Sequence, residues 1–213
     1  MDGLSLRRRI ALDIARSMRK SQEEEHPLRQ LFWECTLRCN LRCQHCGSDC
    51  KQVAATPDMP KEDFFKVLDS IAAKTDPHKV FVIISGGEPT MRADLEECGK
   101  GIYSRGFPWG MVTNGFGMTA ERFSRLLGAG LHSMTVSLDG LEEKHDWLRG
   151  REGSFTRAAE TIRMAVRSGI AFDVVTCVNR RNYPQLPQLK EFLIGLGLME
   201  WRLFSIFPQG RAA

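Results

Sequence analysis

Short runs of apolar and β-branched residues recur along the chain at Leu31–Thr36, Val80–Ser85, Trp109–Thr113, Ser133–Leu138, Phe172–Val178 and Trp201–Phe207. Each reads as a buried strand. Between them the apolar positions change to helical spacing. Phe64, Leu68, Ile71 and Ala72 mark one stripe, Phe155, Ala158, Ala159, Ile162 and Val166 a second, and Leu186, Leu189, Leu193 and Leu196 a third. Gly106, Gly130, Gly169 and Gly197 each follow a helical segment, where a left-handed closing residue is wanted. The order is therefore βαβα. After the first unit, strands recur every 25 to 40 residues or so, roughly the length of a right-handed crossover, which predicts a parallel sheet with helices outside. The first crossover carries an extra stretch, Cys39 to Pro60, directly after the first strand. Loops at the carboxyl ends of parallel strands are where α/β folds place their chemistry.

Charge changes this picture little. Thirty basic against 26 acidic residues leave a net charge of +4, too mild to imply a nucleic-acid or membrane partner. No apolar run approaches the roughly 20 residues that span a bilayer, and the N-terminus is interrupted by charge throughout, unlike a signal peptide. A cytoplasmic protein is expected. In a reducing compartment, seven cysteines, five of them between Cys35 and Cys50, point to metal ligands rather than disulfides.

The spacing within "CTLRCNLRCQHCGSDC" narrows the metal. Zinc ribbons separate two cysteine pairs by a dozen or more residues, a gap missing here. Cys39, Cys43 and Cys46 instead put three thiols on one compact loop, able to hold three corners of a cubic iron–sulfur cluster and leave the fourth iron open. Cys35 falls within the first strand run, and Cys98 and Cys177 within a helix and a strand, where a cysteine behaves as a small apolar residue. Cys50 follows Cys46 at a spacing that fully cysteine-ligated clusters also use. Two classes of protein stay open on these residues, a catalyst with an open iron and a closed electron carrier with Cys50 as fourth ligand; a zinc-stabilised interaction module is a third.

After the second strand the chain reads "SGGEPT". Alone, Gly86, Gly87, Glu88 and Pro89 would be a Gly-Gly turn. On a strand beside the cysteine loop, they place a close backbone approach and a carboxylate on the same rim.

Together "CNLRCQHC" and "GGEP" resemble the signature and second-strand motif of the radical S-adenosylmethionine (SAM) superfamily. The likeness covers nearly all of residues 31–213. "VTNG", "VSLDG" and "HDWLRGREGSF" are similar to the branch with C-terminal auxiliary-cluster (SPASM-like) domains, and within it to a bacterial group associated with small lipoproteins. The resemblance implies a six-stranded, open TIM-type βα barrel over residues 28–213, incomplete at its C-terminus, preceded by an amphipathic helix and linker over residues 1–27. That helix, from Leu4 to Lys20, is expected to lie across the barrel bottom with Arg7 to Arg9 solvated. The last strand is expected to leave Leu203, Phe204 and Phe207 uncovered.

The resemblance also implies cofactors and roles. Cys39, Cys43 and Cys46 would ligate a 4Fe-4S cluster whose fourth iron is chelated by SAM, and one electron would cleave SAM to a 5′-deoxyadenosyl radical that abstracts hydrogen from substrate. Gly86, Gly87 and Glu88 would meet the methionine ammonium, Ser137 and Asp139 the ribose hydroxyls, and His45 the adenine. Asn114 and Gly115 would shape the rim. Arg149 has two readings, a bidentate contact to the SAM carboxylate or an ordinary surface residue, and His145 and Asp146 read as loop-ordering. Implied partners are an electron donor such as flavodoxin or ferredoxin and a substrate, with family members ranging across peptides, proteins and small molecules.

Overall fold

The computed structural model describes residues 5–213. Its elements are α1 (Leu6–Glu25), β1 (Gln30–Glu34), α2 (Lys61–Ala72), β2 (Phe81–Ser85), α3 (Leu95–Tyr103), β3 (Trp109–Thr113), α4 (Ala120–Gly128), β4 (Leu131–Ser137), α5 (Glu142–Arg149), α6 (Ser154–Ser168), β5 (Ala171–Val178), α7 (Leu186–Gly195) and β6 (Trp201–Ser205). The six strands are all parallel and hydrogen-bonded in chain order, leaving β1 and β6 as edges of an open half-barrel. The four glycines expected to close helices take positive φ, from 69° at Gly169 to 89° at Gly197.

Register divides the sheet into two unlike faces. Val82, Ile84, Met111, Met134, Val136 and Val174 point toward the helices and are at most 2% exposed. Trp33 stacks on Phe64 of α2 at 3.9 Å, and the buried Trp109 indole donates to the Ala129 carbonyl. A Cβ on Gly99 would come within 2.4 Å of the Trp109 ring, so glycine at this point of α3 lets the helix sit close on the sheet. On the other face, the pairings Phe32↔Ile83↔Gly110, Val112↔Thr135↔Asp173 and Val175↔Arg202 lie on successive rows of the concave side. Here Phe32 is 62% and Phe204 49% exposed. The strands are therefore buried most completely on the helix side, while the concave side is covered only in part, as at Val175. Burying one such side chain is worth about 1.5 to 3 kcal/mol, which makes the helix-facing layer the main source of stability.

Two expectations need correction, and one element was not foreseen. The first helix does not stop at Lys20 but runs to Glu25, through the expected linker, while its expected start at Leu4 lies outside the described residues. Its apolar residues are not seated beneath the sheet: Leu6, Ile10, Ile14 and Met18 are all exposed. Residues 142–149, to which the sequence pattern assigns no element, form α5. "EEKHDWLR" carries no helical apolar stripe, and the helix is closed instead by Gly150 at φ 67°. The exposed side chains of Leu203, Phe204 and Phe207 agree with the reading of β6. Among the described residues no helix is long and apolar enough to cross a membrane.

Candidate active site

Past their last paired residues, β1 and β2 stay zipped together. Cys35 N–H donates to Ser85 O, Gly87 N–H to Thr36 O and Glu88 N–H to Arg38 O, each within 3.0 Å. This approach is why two glycines stand here: a Cβ on Gly86 would meet Thr36 O, and one on Gly87 would meet Arg38 O, at 2.3 Å. The segment so aligned leads into Cys39, whose N–H bonds Lys51 O at 2.8 Å. Between those points the loop leans on the end of α5, with Arg42 N–H donating to Arg149 O and Gln44 N–H to Leu148 O. These are terminal helix carbonyls, which need donors from outside. Cys39, Cys43, Cys46 and Cys50 thereby pack with Leu41 and Phe116 in a group apart from the main core.

A cavity of about 250 Å³ opens beside the thiols. Cys39, Cys43 and Cys46 line it together with Gly86, Gly87 and Glu88 from the end of β2, Ser137 from β4, and His45. Asn114, Arg149, Cys50 and Arg211 complete much of the wall. Two donors face the sulfurs: Asn114 Nδ2 is 3.9 Å from Cys39 Sγ and Arg149 Nη1 is 3.8 Å from Cys43 Sγ. Burial pushes the Cys39 thiol up to about 12, and burial likewise raises Cys43 against the opposing pull of Arg149. Sulfurs that resist ionising alone, yet have N–H donors toward them, suit a metal cluster whose positive charge takes the place of the protons.

Glu88 is 1% exposed, and its carboxylate already has work to do. Oε1 accepts from Thr90 N–H, Thr90 Oγ1 and Thr113 Oγ1, and Oε2 accepts from Asn114 N–H. It ties the end of β2 to the end of β3. Asn114 in turn donates to Asn40 in the cysteine loop at 2.9 Å.

Asp139 departs from the role expected for it. It is fully buried and sits behind the cavity wall, because other groups take both carboxylate oxygens. Oδ1 accepts from Cys177 N–H at 2.8 Å, and Oδ2 stands 2.6 Å from Arg149 Nε. Neither Oδ2 nor Arg149 Nε makes a directional hydrogen bond, so charge rather than N–H geometry joins them. Burial is the largest single influence and opposes ionisation of Asp139, but Arg149, His45, His145 and the Cys177 N–H together outweigh it and hold the carboxyl below the ordinary range. Arg149 itself is 7% exposed, far from the surface residue its sequence context suggested. His45, Asp139 and Cys177 bring possible ligand atoms within 4.8 Å of one another, but the Arg149 guanidinium already occupies the place a cation would take. Cys177 is half-buried on this side of β5 rather than in the core.

His145 and Asp146 hold the region in shape. Asp146 accepts from Gly153 N–H, Ser154 Oγ and Phe155 N–H, capping α6. His145 Nδ1 accepts from Asp139 N–H at 3.0 Å and so must be unprotonated there. Burial, reinforced by Arg149, lowers its pKa from 6.5 to about 4. The unfolded chain takes up that proton near 6.5, so folding stability falls as pH drops from 6.5 toward 4. The expected loss between pH 7 and pH 5 is about 2 kcal/mol. Urea midpoints at both pH values check this: His145→Gln, which keeps an acceptor, should flatten the slope by that amount, and an unchanged slope would remove His145 as its source.

Two contributors were missed in the sequence. Asn182 donates to Asp139 O and Cys177 O, fastening the β5 loop behind the ion pair. Arg211, past the last strand, reaches the cysteine loop. A Gly-Arg pair after a strand end is the same kind of signal as Gly86 and Gly87.

The comparisons with known proteins agree with this geometry. The Radical SAM superfamily profile matches residues 33–193, and the chain belongs to that family. An AdoMet-dependent heme synthase from Oleidesulfovibrio alaskensis is 29% identical over 201 residues, 93% of this chain and 51% of the relative. A PqqA peptide cyclase from Methylocella silvestris is 29% identical over 168 residues, 78% of this chain and 44% of the relative. The crystal structure of Streptococcus suis SuiB bound to S-adenosylmethionine superposes with a TM-score of 0.70 at 16% identity, covering 97% of this chain and 48% of SuiB; SuiB has also been solved with its precursor peptide SuiA. The fold is thus the radical SAM partial barrel, and the family implies SAM and a 4Fe-4S cluster as cofactors. The chain spans about half the length of the curated relatives it matches.

Proposed function

We propose that this chain is the core of a radical SAM enzyme, with Cys39, Cys43 and Cys46 holding a 4Fe-4S cluster and the adjoining cavity holding SAM. The observation that carries the reading is one cavity shared by three thiols, those of Cys39 and Cys43 buried, and the Gly86–Gly87–Glu88 turn. Bound together, cluster and SAM supply one-electron cleavage of a carbon–sulfur bond and, through it, hydrogen abstraction. The chain's own residues bind and orient. The carbonyls of Gly86 and Gly87, with Glu88 Oε2, are the acceptors for an ammonium group. Ser137 serves a ribose hydroxyl, Arg149 a carboxylate, and His45 stacks against the base. The concave face, open between β1 and β6, receives the substrate, and a flavodoxin- or ferredoxin-type donor provides the electron. A peptide is the substrate class to test first, because PqqA peptide cyclase and SuiB with its precursor peptide are among the similar proteins.

Anaerobic reconstitution with iron and sulfide, followed by dithionite and SAM, tests the proposal. The expected result is 5′-deoxyadenosine and methionine in equal amounts, with a SAM-dependent change in the cluster's electron paramagnetic resonance. A closed cluster is the second reading, favoured by Cys50, which is 4% exposed and lines the same cavity. It predicts a spectrum that SAM does not alter and no nucleoside product.

A further inference from the structure

We infer that the Gly210–Arg211 segment is a latch that closes the open half-barrel at its carboxyl rim and fixes the cysteine loop, with Arg211 a positioning residue for the cluster proposed above. The two edge strands do not pair with each other. Beyond β6, however, the chain crosses the gap to the loop that follows β1. Arg211 N–H donates to Cys46 O at 2.9 Å, its Nε to Cys43 O at 2.8 Å, and its Nη1 to Cys50 O at 3.0 Å and to Asp49 Oδ1 at 2.7 Å. One residue thus satisfies the carbonyls of three of the clustered cysteines, from more than 160 positions away in sequence. The backbone approach is equally close: Gly210 has φ 60°, and a Cβ there would lie 2.4 Å from Gly47 O and 2.5 Å from Cys46 O.

The loop needs such outside support. From Leu41 to Cys50 it has turns but no helix or strand, and the bond from Cys46 N–H to Cys43 O is long, at 3.4 Å. Its geometry is imposed from two sides. The carbonyls at the end of α5 take N–H groups of Arg42 and Gln44, and Arg211 gives donors to the carbonyls of Cys43, Cys46 and Cys50. Arg211 also lines both the 250 Å³ cavity and a second one of about 430 Å³, as do Cys39 and Cys50 of the loop it holds. A cation among these carbonyls also suits a loop that must carry thiolates. Because docking of the segment and filling of the loop stabilise the same arrangement, each should strengthen the other.

Hydrogen exchange of the metal-free chain, read alongside iron content and the SAM-dependent spectrum after reconstitution, tests the latch. In Arg211→Ala and Gly210→Val, amides of residues 42–50 should exchange about tenfold faster, as for one lost charge-assisted hydrogen bond, while β2 to β5 keep wild-type protection. Iron retained after desalting should fall several-fold, and Arg211→Lys should recover part of both. Unchanged loop exchange in both disruptive variants would overturn the latch, as would equal loosening of the whole sheet. If the wild-type chain takes up no iron, the cluster reading fails, and the exchange data still decide the latch by themselves.

Discussion

Alanine at Cys39, Cys43 or Cys46 is expected to abolish loading of a 4Fe-4S cluster, and alanine at Cys35, Cys98 or Cys177 to leave it intact. The separation follows from which sulfurs line the cavity. Cys35 and Cys98 lie in the main core, at 1% and 0% exposure, and burial pushes their thiols up to about 12 and about 11. Removing either sulfur creates a small cavity costing on the order of 1 kcal/mol and touches no ligand. Cys177 faces Asp139 and is not part of the cavity wall. Cys50 is the informative position, since it is packed with the three proposed ligands. Cys50→Ala should keep both the iron content and the response to SAM. Iron and sulfide analysis with paramagnetic resonance on each variant checks the set, and complete loss of the 4Fe-4S signal in Cys50→Ala would replace the open-site assignment with a closed cluster.

What could be read from the chain, and what could not, divides along the range of the interactions. The strand runs, the three stripes and the spacing of Cys39, Cys43 and Cys46 are local patterns, and the structure brings those thiols to the same rim as Gly86 and Gly87. Arg149 was obscure because α5 has no apolar stripe to mark it as a helix, and because its burial comes from packing on a loop 106 residues earlier. Asp139 has the same difficulty: "LDG" has the look of a turn, and only the fold brings Arg149 to its carboxylate and His145 to its backbone N–H. The concave face escaped for the opposite reason. Phe32, Ile83 and Val112 have the composition of a core, and hydrophobicity by itself does not say which face of a half-barrel is covered.

Glu88→Ala should be the most disruptive substitution outside the cysteines, lowering folding stability by about 3 to 5 kcal/mol, an effect a simple ligand contact would not produce. Four donors converge on this carboxylate: Thr90 N–H at 3.1 Å, Thr90 Oγ1 at 2.8 Å, Thr113 Oγ1 at 2.7 Å and Asn114 N–H at 2.8 Å. Alanine would leave them in a buried site without an acceptor, each at a cost of about 1 to 3 kcal/mol if it cannot turn to water, and these costs do not add in full. The disturbance should travel, because Asn114 also holds Asn40 and faces Cys39. Glu88→Gln separates structure from binding. It keeps one acceptor oxygen for the two threonines and sets an amide against Asn114 N–H, so its urea midpoint should fall between those of wild type and Glu88→Ala. With that fold retained, calorimetric titration of the reconstituted variant with SAM reads the ammonium contact alone. About tenfold or greater weakening is expected from loss of a charge-assisted bond. Unchanged affinity in Glu88→Gln would confine the carboxylate to joining β2 and β3, and leave recognition of the ammonium to the carbonyls of Gly86 and Gly87.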